Sequence, residues 1–139
     1  MLTLRLIFIP CLFVLSGCRL LSPRAEYIPD NEVLKVATVG VPYFLKINML
    51  GGRVIGSKEK KVGFVTPSDR GIFLRNCKLP DSVITEDTRD LRDFNCAEVY
   101  GTPTKPGVIK ITIGGGMYGH MFAPAKDFIK DYTLNVVNP

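Results

Sequence analysis

Three glycines near the end of the chain have the spacing of a phosphate-binding loop. Gly114, Gly116 and Gly119 form the pattern G-x-G-x-x-G, with which many enzymes hold a pyrophosphate. Such a site needs a strand before the glycines, a helix after them and a further strand with an acidic residue about 20 positions on. Pro124 interrupts the following segment, and the 139-residue chain leaves too little sequence for the rest of the unit. We therefore expect no nucleotide site, and interpret the glycines as a strand end or a loop between the last two strands.

His120 is the only histidine in the chain, and histidine is the side chain that most often serves as a general base. Nucleophilic catalysis would place it beside an activated serine or cysteine, and the sequence has no G-x-S-x-G elbow. A zinc site would need several His or Cys ligands. Ser57 to Lys60 fits S-x-x-K, but the large helical domain of the penicillin-binding enzymes is missing. We expect a protein that is not an enzyme and that carries no cofactor or metal.

A cluster of acidic residues offers oxygen atoms of the kind that calcium prefers: Glu86, Asp87, Asp90 and Asp93. Arg89 and Arg92 lie among them, and no D-x-D-x-D-G loop is present. This pattern favours a solvated, internally paired face over a metal site.

The first 17 residues have the layout of a secretory signal peptide. Arg5 precedes an apolar run from Leu6 to Leu15, which is too short to span a bilayer. The junction Leu15-Ser16-Gly17-Cys18 resembles the bacterial lipobox, in which lipid is attached to the cysteine; a plain signal peptide is the alternative. Several acyl chains on Cys18 would hold the protein on a membrane. Arg19 after the cysteine implies the outer membrane, facing the periplasm.

The charge of the chain gives little reason to expect a nucleic-acid partner. The formal net charge is +5, but the basic residues are spread along the sequence with no basic run of five or more. The length is that of one domain with a real apolar core.

Two cysteines remain after the signal peptide and Cys18. In an oxidising compartment Cys77 and Cys96 are expected to form a disulfide, and two buried free thiols are the alternative. A bridge closing this loop would contribute about 3 kcal/mol.

The rest of the chain reads as short strands separated by turns. Residues 18–31 contain Pro23 and Pro29 and are interpreted as the lipidated cysteine and a tether, which leaves 32–139 as the domain. The strand-like runs are Val33 to Val39, Tyr43 to Leu50, Arg53 to Gly56, Lys61 to Thr66, Gly71 to Cys77, Val99 to Gly101, Val108 to Ile113 and Asp131 to Val137. These runs predict an all-β sandwich of seven to eight strands with at most one short helix, at Thr85 to Phe94.

Four strings in these runs resemble the bacterial putative-Ig (cadherin-like) modules. They are Ala37 to Tyr43 (ATVGVPY), Gly71 to Leu74 (GIFL), Gly101 to Ile111 (GTPTKPGVIKI) and Tyr132 to Val136 (YTLNV). The resemblance covers about Val33 to Val137 and implies an immunoglobulin-like sandwich. The chain departs from it by the insert between the two cysteines.

Taken together, the anchor, the sandwich and the missing catalytic residues predict a lipid-anchored envelope protein that binds a protein partner. The partner is expected to be a toxic effector held by an inhibitor or immunity protein, or a component of a secretion or surface assembly. The predicted contact surfaces are Pro80 to Asn95 and Gly114 to Phe122, with candidate residues Asp87, Asp90, Asp93, Phe94, Tyr118 and His120. A glycan- or peptidoglycan-binding module is the alternative, with Tyr118, Tyr100 and Phe94 as candidate platforms.

Overall fold

The protein is an all-β sandwich, as the sequence predicts. The computed structural model describes residues 23–55, 61–83, 94–119 and 124–139. Within them the chain forms a 3-10 turn at Asp81–Val83 and nine strands: β1 (Glu26–Ile28), β2 (Ala37–Thr38), β3 (Tyr43–Leu50), β4 (Val54–Ile55), β5 (Gly63–Thr66), β6 (Ile72–Asn76), β7 (Cys96–Gly101), β8 (Gly107–Met117) and β9 (Lys126–Val137).

The strands form two sheets. Sheet A has the order β1-β3-β7-β6, and all of its neighbours are antiparallel. Sheet B has the order β2-β9-β8, and both β4 and β5 pair antiparallel with the far side of β8. Strand β2 runs parallel to β9. The chain thus crosses between the sheets five times: before and after β2, between β3 and β4, between β5 and β6, and between β7 and β8.

Alternation along the strands explains why the two sheets pack together. In β3 the inward residues Tyr43, Ile47 and Met49 are buried, whereas Phe44 and Lys46 point outward. The central strands of sheet B repeat the pattern, with Ile109, Ile111, Ile113, Tyr132 and Leu134 buried. Side chains from both sheets form one core cluster. Since one face of each strand is apolar, burying that face drives the two sheets together.

The buried side-chain amide of Asn95 forms hydrogen bonds with the backbone around the β3 to β4 turn. The Asn95 side chain donates hydrogen bonds to the carbonyls of Met49 and Gly52, and its Oδ1 accepts one from the Val54 amide, at 2.7 to 2.8 Å. It therefore provides hydrogen-bond partners for backbone groups at the end of β3, in the following turn and at the start of β4.

The predicted tether needs correction. Glu26–Ile28 pair with Asn48 to Leu50, and the Tyr132 hydroxyl donates a hydrogen bond to the Pro29 carbonyl at 2.7 Å. Residues 26–31 therefore belong to the sandwich, because β1 supplies the edge partner of β3. The domain begins before residue 32.

The glycine segment is part of a strand. Strand β8 continues through Gly114, Gly115 and Gly116 to Met117, paired with β9 throughout. Strand β9 begins at Lys126, five residues before the predicted run. The glycines therefore lie near the end of the strand, as the strand-end interpretation predicts, but the strand continues through them to Met117. The predicted helix falls almost entirely on residues 84–93, which lie outside the described residues.

Candidate binding surface on sheet A

The pairing register brings residues from three strands into rows across the outer face of sheet A. Phe44 of β3 lies opposite Tyr100 of β7, which lies opposite Phe73 of β6. We call these three residues the aromatic row. The next outward positions are Lys46, Glu98 and Arg75, which we call the charged row.

The aromatic row is open to solvent. Phe44 is 58% exposed and Phe73 is 49% exposed. The Phe73 and Tyr100 rings are tilted by 41° with centroids 5.9 Å apart, a favourable offset arrangement. Apolar side chains on the outer face of a sheet gain little from folding, because water still reaches them. The three neighbouring rings therefore leave apolar surface open to solvent, in addition to any stability that the Phe73 and Tyr100 contact contributes.

Ion pairs to one central carboxylate hold the charged row together. Glu98 is only 13% exposed at its side chain and forms ion pairs with Arg75 and with Lys46, the latter at 3.8 Å. The Arg75 guanidinium also lies 4.4 Å from the centroid of the Tyr100 ring. The ion pair and the cation-π contact together hold the guanidinium over the Tyr100 ring.

The disulfide lies beyond the charged row on the same face. The predicted bridge between Cys77 and Cys96 is confirmed; it joins β7 to the residue after β6, with Cα atoms 4.9 Å apart. The Cys77 amide also donates a hydrogen bond to the Cys96 carbonyl at 3.0 Å. The bridge therefore secures the pairing of β6 with β7, the two strands that carry Phe73, Arg75, Glu98 and Tyr100.

A groove runs along the edge of the sandwich beside the aromatic row. It has a volume of about 760 Å³ and lies where β5 of sheet B and β6 of sheet A are side by side. Phe64 and Ile129 border it on the side of sheet B, and Phe73 and Tyr100 border it on the side of sheet A. The aromatic row thus continues around the edge into a second apolar surface.

Glycine contributes directly to this groove. Gly114 lies opposite Ile129 on the outer face of sheet B and lines the groove, so the β8 side chain that would fill this place is missing. Near it, the Thr112 hydroxyl donates a hydrogen bond to Asp131 at 2.7 Å, and Lys110 pairs with Asp131 at 2.8 Å. These hydrogen bonds from Lys110 and Thr112 lower the pKa of the Asp131 carboxyl.

The structure describes two of the residues that are predicted to bind a partner, Tyr118 and Phe94. Tyr118 is 47% exposed and lies under the Arg53 guanidinium, which is 5.1 Å from its ring centroid, beyond the end of β8. Phe94 is half-buried and packs against the core, so it presents little surface to a partner. Cys18, Asp87, Asp90, Asp93 and His120 lie outside the described residues.

Sequence reasoning identified one member of the aromatic row and missed the other two. Tyr100 was a candidate for glycan binding, but Phe44 and Phe73 were treated only as members of strands. The usable signal was in YFLKINML, where Phe44 occupies the same set of alternate positions as Lys46 and Asn48. An aromatic residue among the polar positions of an alternating strand indicates an exposed aromatic side chain.

The described residues contain neither a grouped set of metal ligands nor a membrane-spanning helix. In residues 23–55, 61–83, 94–119 and 124–139, no three His, Cys, Asp or Glu side chains are grouped so that they could share a metal ion. The same residues contain no helix that is long and apolar enough to cross a bilayer.

Comparisons of the chain with protein-family models, with curated proteins and with solved structures found no match in any of the three. The arguments for function therefore rest on the residues and their geometry.

Proposed function

We propose that the protein is a lipid-anchored, non-enzymatic component of the cell envelope that binds a protein partner through the outer face of sheet A. The observation that carries this proposal is the aromatic row on the outer face, with the Arg75 guanidinium over the Tyr100 ring. Tyrosine and arginine dominate the binding energy of protein interfaces, and phenylalanine is also enriched in them.

The shape of this surface favours a protein over a small molecule. The rings lie on the outer surface of a sheet and continue into an open groove, whereas sites for small molecules enclose most of the ligand. The surface is also preorganised, because each member is held by strand pairing and the disulfide fixes β6 to β7. A rigid surface loses little conformational entropy on binding.

We infer that the sandwich is immunoglobulin-like. In constant-type domains one sheet contains strands A, B, E and D, and the other contains C, F and G. Sheet A has the matching order β1-β3-β7-β6, and β9, β8 and the pair β4 and β5 match G, F and C. Strands β4 and β5 pair along β8 in the same direction, as one interrupted strand would. The resemblance of GTPTKPGVIKI to the putative-Ig modules supports the same inference.

Membrane attachment through Cys18 is supported by the lipobox-like junction at the end of an apolar run.

The binding role is supported by the two ion pairs of Glu98, which hold its carboxylate beside the rings as an orienting group. Within this class the partner is a toxic effector that the protein holds in check, or a component of a secretion or surface assembly.

The proposal is tested by crosslinking and pull-down of the full-length, C-terminally tagged protein from its own host. The test variant combines Phe44→Ala, Tyr100→Ala and Phe73→Ala. The matched control combines Val36→Ala, Val41→Ala and Val108→Ala, which remove exposed apolar side chains elsewhere. We expect the wild type and the control to recover the same partner, and the aromatic variant to lose it.

One outcome counts against the proposed surface, and an unfolded variant calls for a second set of substitutions. If the aromatic variant recovers the partner as well as the control does, the contact lies elsewhere on the molecule. If thermal unfolding shows that the aromatic variant is no longer folded, single substitutions replace it, beginning with Phe44→Ala, whose side chain is the most exposed of the three.

A peptidoglycan-binding role is the second candidate, and one observation favours it. Tyr100 has a carboxylate and a guanidinium beside its ring, as sugar-binding platforms often do. The chain has no Trp, which is the commonest sugar platform. Sedimentation with purified sacculi separates the two candidates: enrichment of the wild type, lost in Tyr100→Ala, would favour the glycan.

A further inference from the structure

We propose that one end of the sandwich lies against the phospholipid headgroups, so that the aromatic row faces away from the membrane. This inference rests on the proposed lipidation of Cys18. The anchor end is defined by Pro23, Gly52, Arg53, Met117 and Tyr118, and it is the end at which the chain enters the domain.

The packing of Pro23 places the chain entry at this end. A Cβ atom on Gly52 would lie 3.5 Å from the Pro23 side chain and 3.5 Å from the Met117 sulfur. The carbonyl oxygen of Arg24 occupies the place that a Cβ of Gly51 would take. The segment before β1 therefore packs against the β3 to β4 turn and the end of β8.

The chain between the anchor and this point is short. Cys18 precedes Pro23 by five residues, which reach about 17 Å when fully extended. Strand β8 has 11 residues and is about 35 Å long. Since the connection is about half as long as the sandwich, the anchor end cannot move far from the bilayer surface.

The residues at the anchor end suit a headgroup layer. Tyr118 is about half exposed, and tyrosine is enriched where a membrane meets water. The Arg53 guanidinium lies on its ring, and the Arg53 carbonyl accepts a hydrogen bond from the Tyr118 amide at 2.9 Å. Two further cations lie near this end: Arg24, before the first strand, and Lys126, the first residue of β9. The acids Glu26 and Asp127 follow them in the sequence. A cation near an anionic headgroup surface is attracted to it.

The aromatic row lies toward the opposite end of sheet A. Phe44 is the second residue of β3, whereas Leu50, its last residue, leads into the turn at Gly51 and Gly52. Tyr100 and Phe73 share the register of Phe44. An anchor end on the membrane therefore presents the aromatic row to a partner that arrives from the aqueous side.

The absence of Trp from the chain makes a direct test available. Tyr118→Trp introduces a single emitter at the anchor end, and Phe44→Trp introduces the matched control on the aromatic row. Each full-length, lipidated variant is reconstituted into vesicles that contain brominated phospholipids, which quench indole fluorescence on contact. We expect loss of most of the emission from Tyr118→Trp and no loss from Phe44→Trp.

Flotation of the vesicles tests the lipidation of Cys18 separately from the orientation of the sandwich. If the wild type does not float and Cys18→Ala behaves identically, the protein is not lipidated and both proposals fail. If the wild type floats but Tyr118→Trp is not quenched, or Phe44→Trp is quenched as strongly, the anchor stands and the orientation is wrong.

Discussion

Both faces of strand β3 carry apolar side chains, but folding buries only those on the inner face. On the inner face, Ile47 and Met49 are completely buried in the core. On the outer face, Phe44 is mostly exposed and begins the aromatic row. The hydrophobic effect stabilises a fold only through the area that leaves water on folding. Apolar residues on the inner face therefore maintain the fold, whereas those on the outer face are available for a partner.

The largest effect is expected from the inner face. Ile47→Ala removes buried methyl groups and leaves a cavity, which lowers the free energy of unfolding by about 4 kcal/mol. Phe44→Ala is the control on the outer face of the same strand. Because Phe44 is solvent exposed, this substitution changes the free energy of unfolding by about 0.5 kcal/mol or less. Urea unfolding measures both. Equal losses would break the distinction between the two faces.

The disulfide stabilises the fold from the outer side of sheet A by a different effect, because a crosslink restricts the unfolded chain. Cys96 points to the outer face and yet is fully buried. Replacing Cys77 and Cys96 together by Ala lowers the free energy of unfolding by about 3 kcal/mol. Urea unfolding of this variant, against the wild type with and without reductant, checks the value. A loss as small as that of Phe44→Ala would contradict it.

Asn95 extends the comparison of buried and exposed apolar side chains to a polar one, because it is polar and buried. Asn95→Ala leaves the Val54 amide and two carbonyls without their partner, at a cost of about 2 kcal/mol. Asn95→Asp keeps the acceptor for Val54 but removes both donors, and it should also destabilise the fold. Thermal unfolding of the two variants provides the measurement, and no shift in the midpoint of Asn95→Ala would argue against this role.

The smallest effect is expected on the outer face of sheet B. The pKa of Asp131 is lowered by Lys110 and Thr112, so its contribution is present above the unfolded pKa of about 3.9 and disappears as the pH falls through the lower folded value. The stability difference between wild type and Asp131→Asn should therefore be constant near neutral pH and vanish in acid. A difference that persists at the lowest pH would mean that the ion pair and hydrogen bond are not its source.

The sequence predicted the parts of this fold that depend on local pattern. Residues Tyr43 to Leu50 form one strand with the predicted bounds, because strict alternation and flanking turns define it. The boundary at residue 32 was wrong, because two prolines near β1 suggest a tether whereas β1 is fixed by pairing with β3. The end of β8 was placed too early, because glycine has low strand propensity and only the long pairing with β9 holds it.

The sequence by itself determined the all-β class, the position of β3, and the pairing of Cys77 with Cys96, because alternation, turn residues and cysteine number are local or countable properties. Only the tertiary structure decided that Phe44, Tyr100 and Phe73 form one row, that Phe94 packs on the core, and that Tyr118 lies beyond the end of β8. The physical reason is that strand order and register, which bring distant residues side by side, depend on pairing across the whole sandwich.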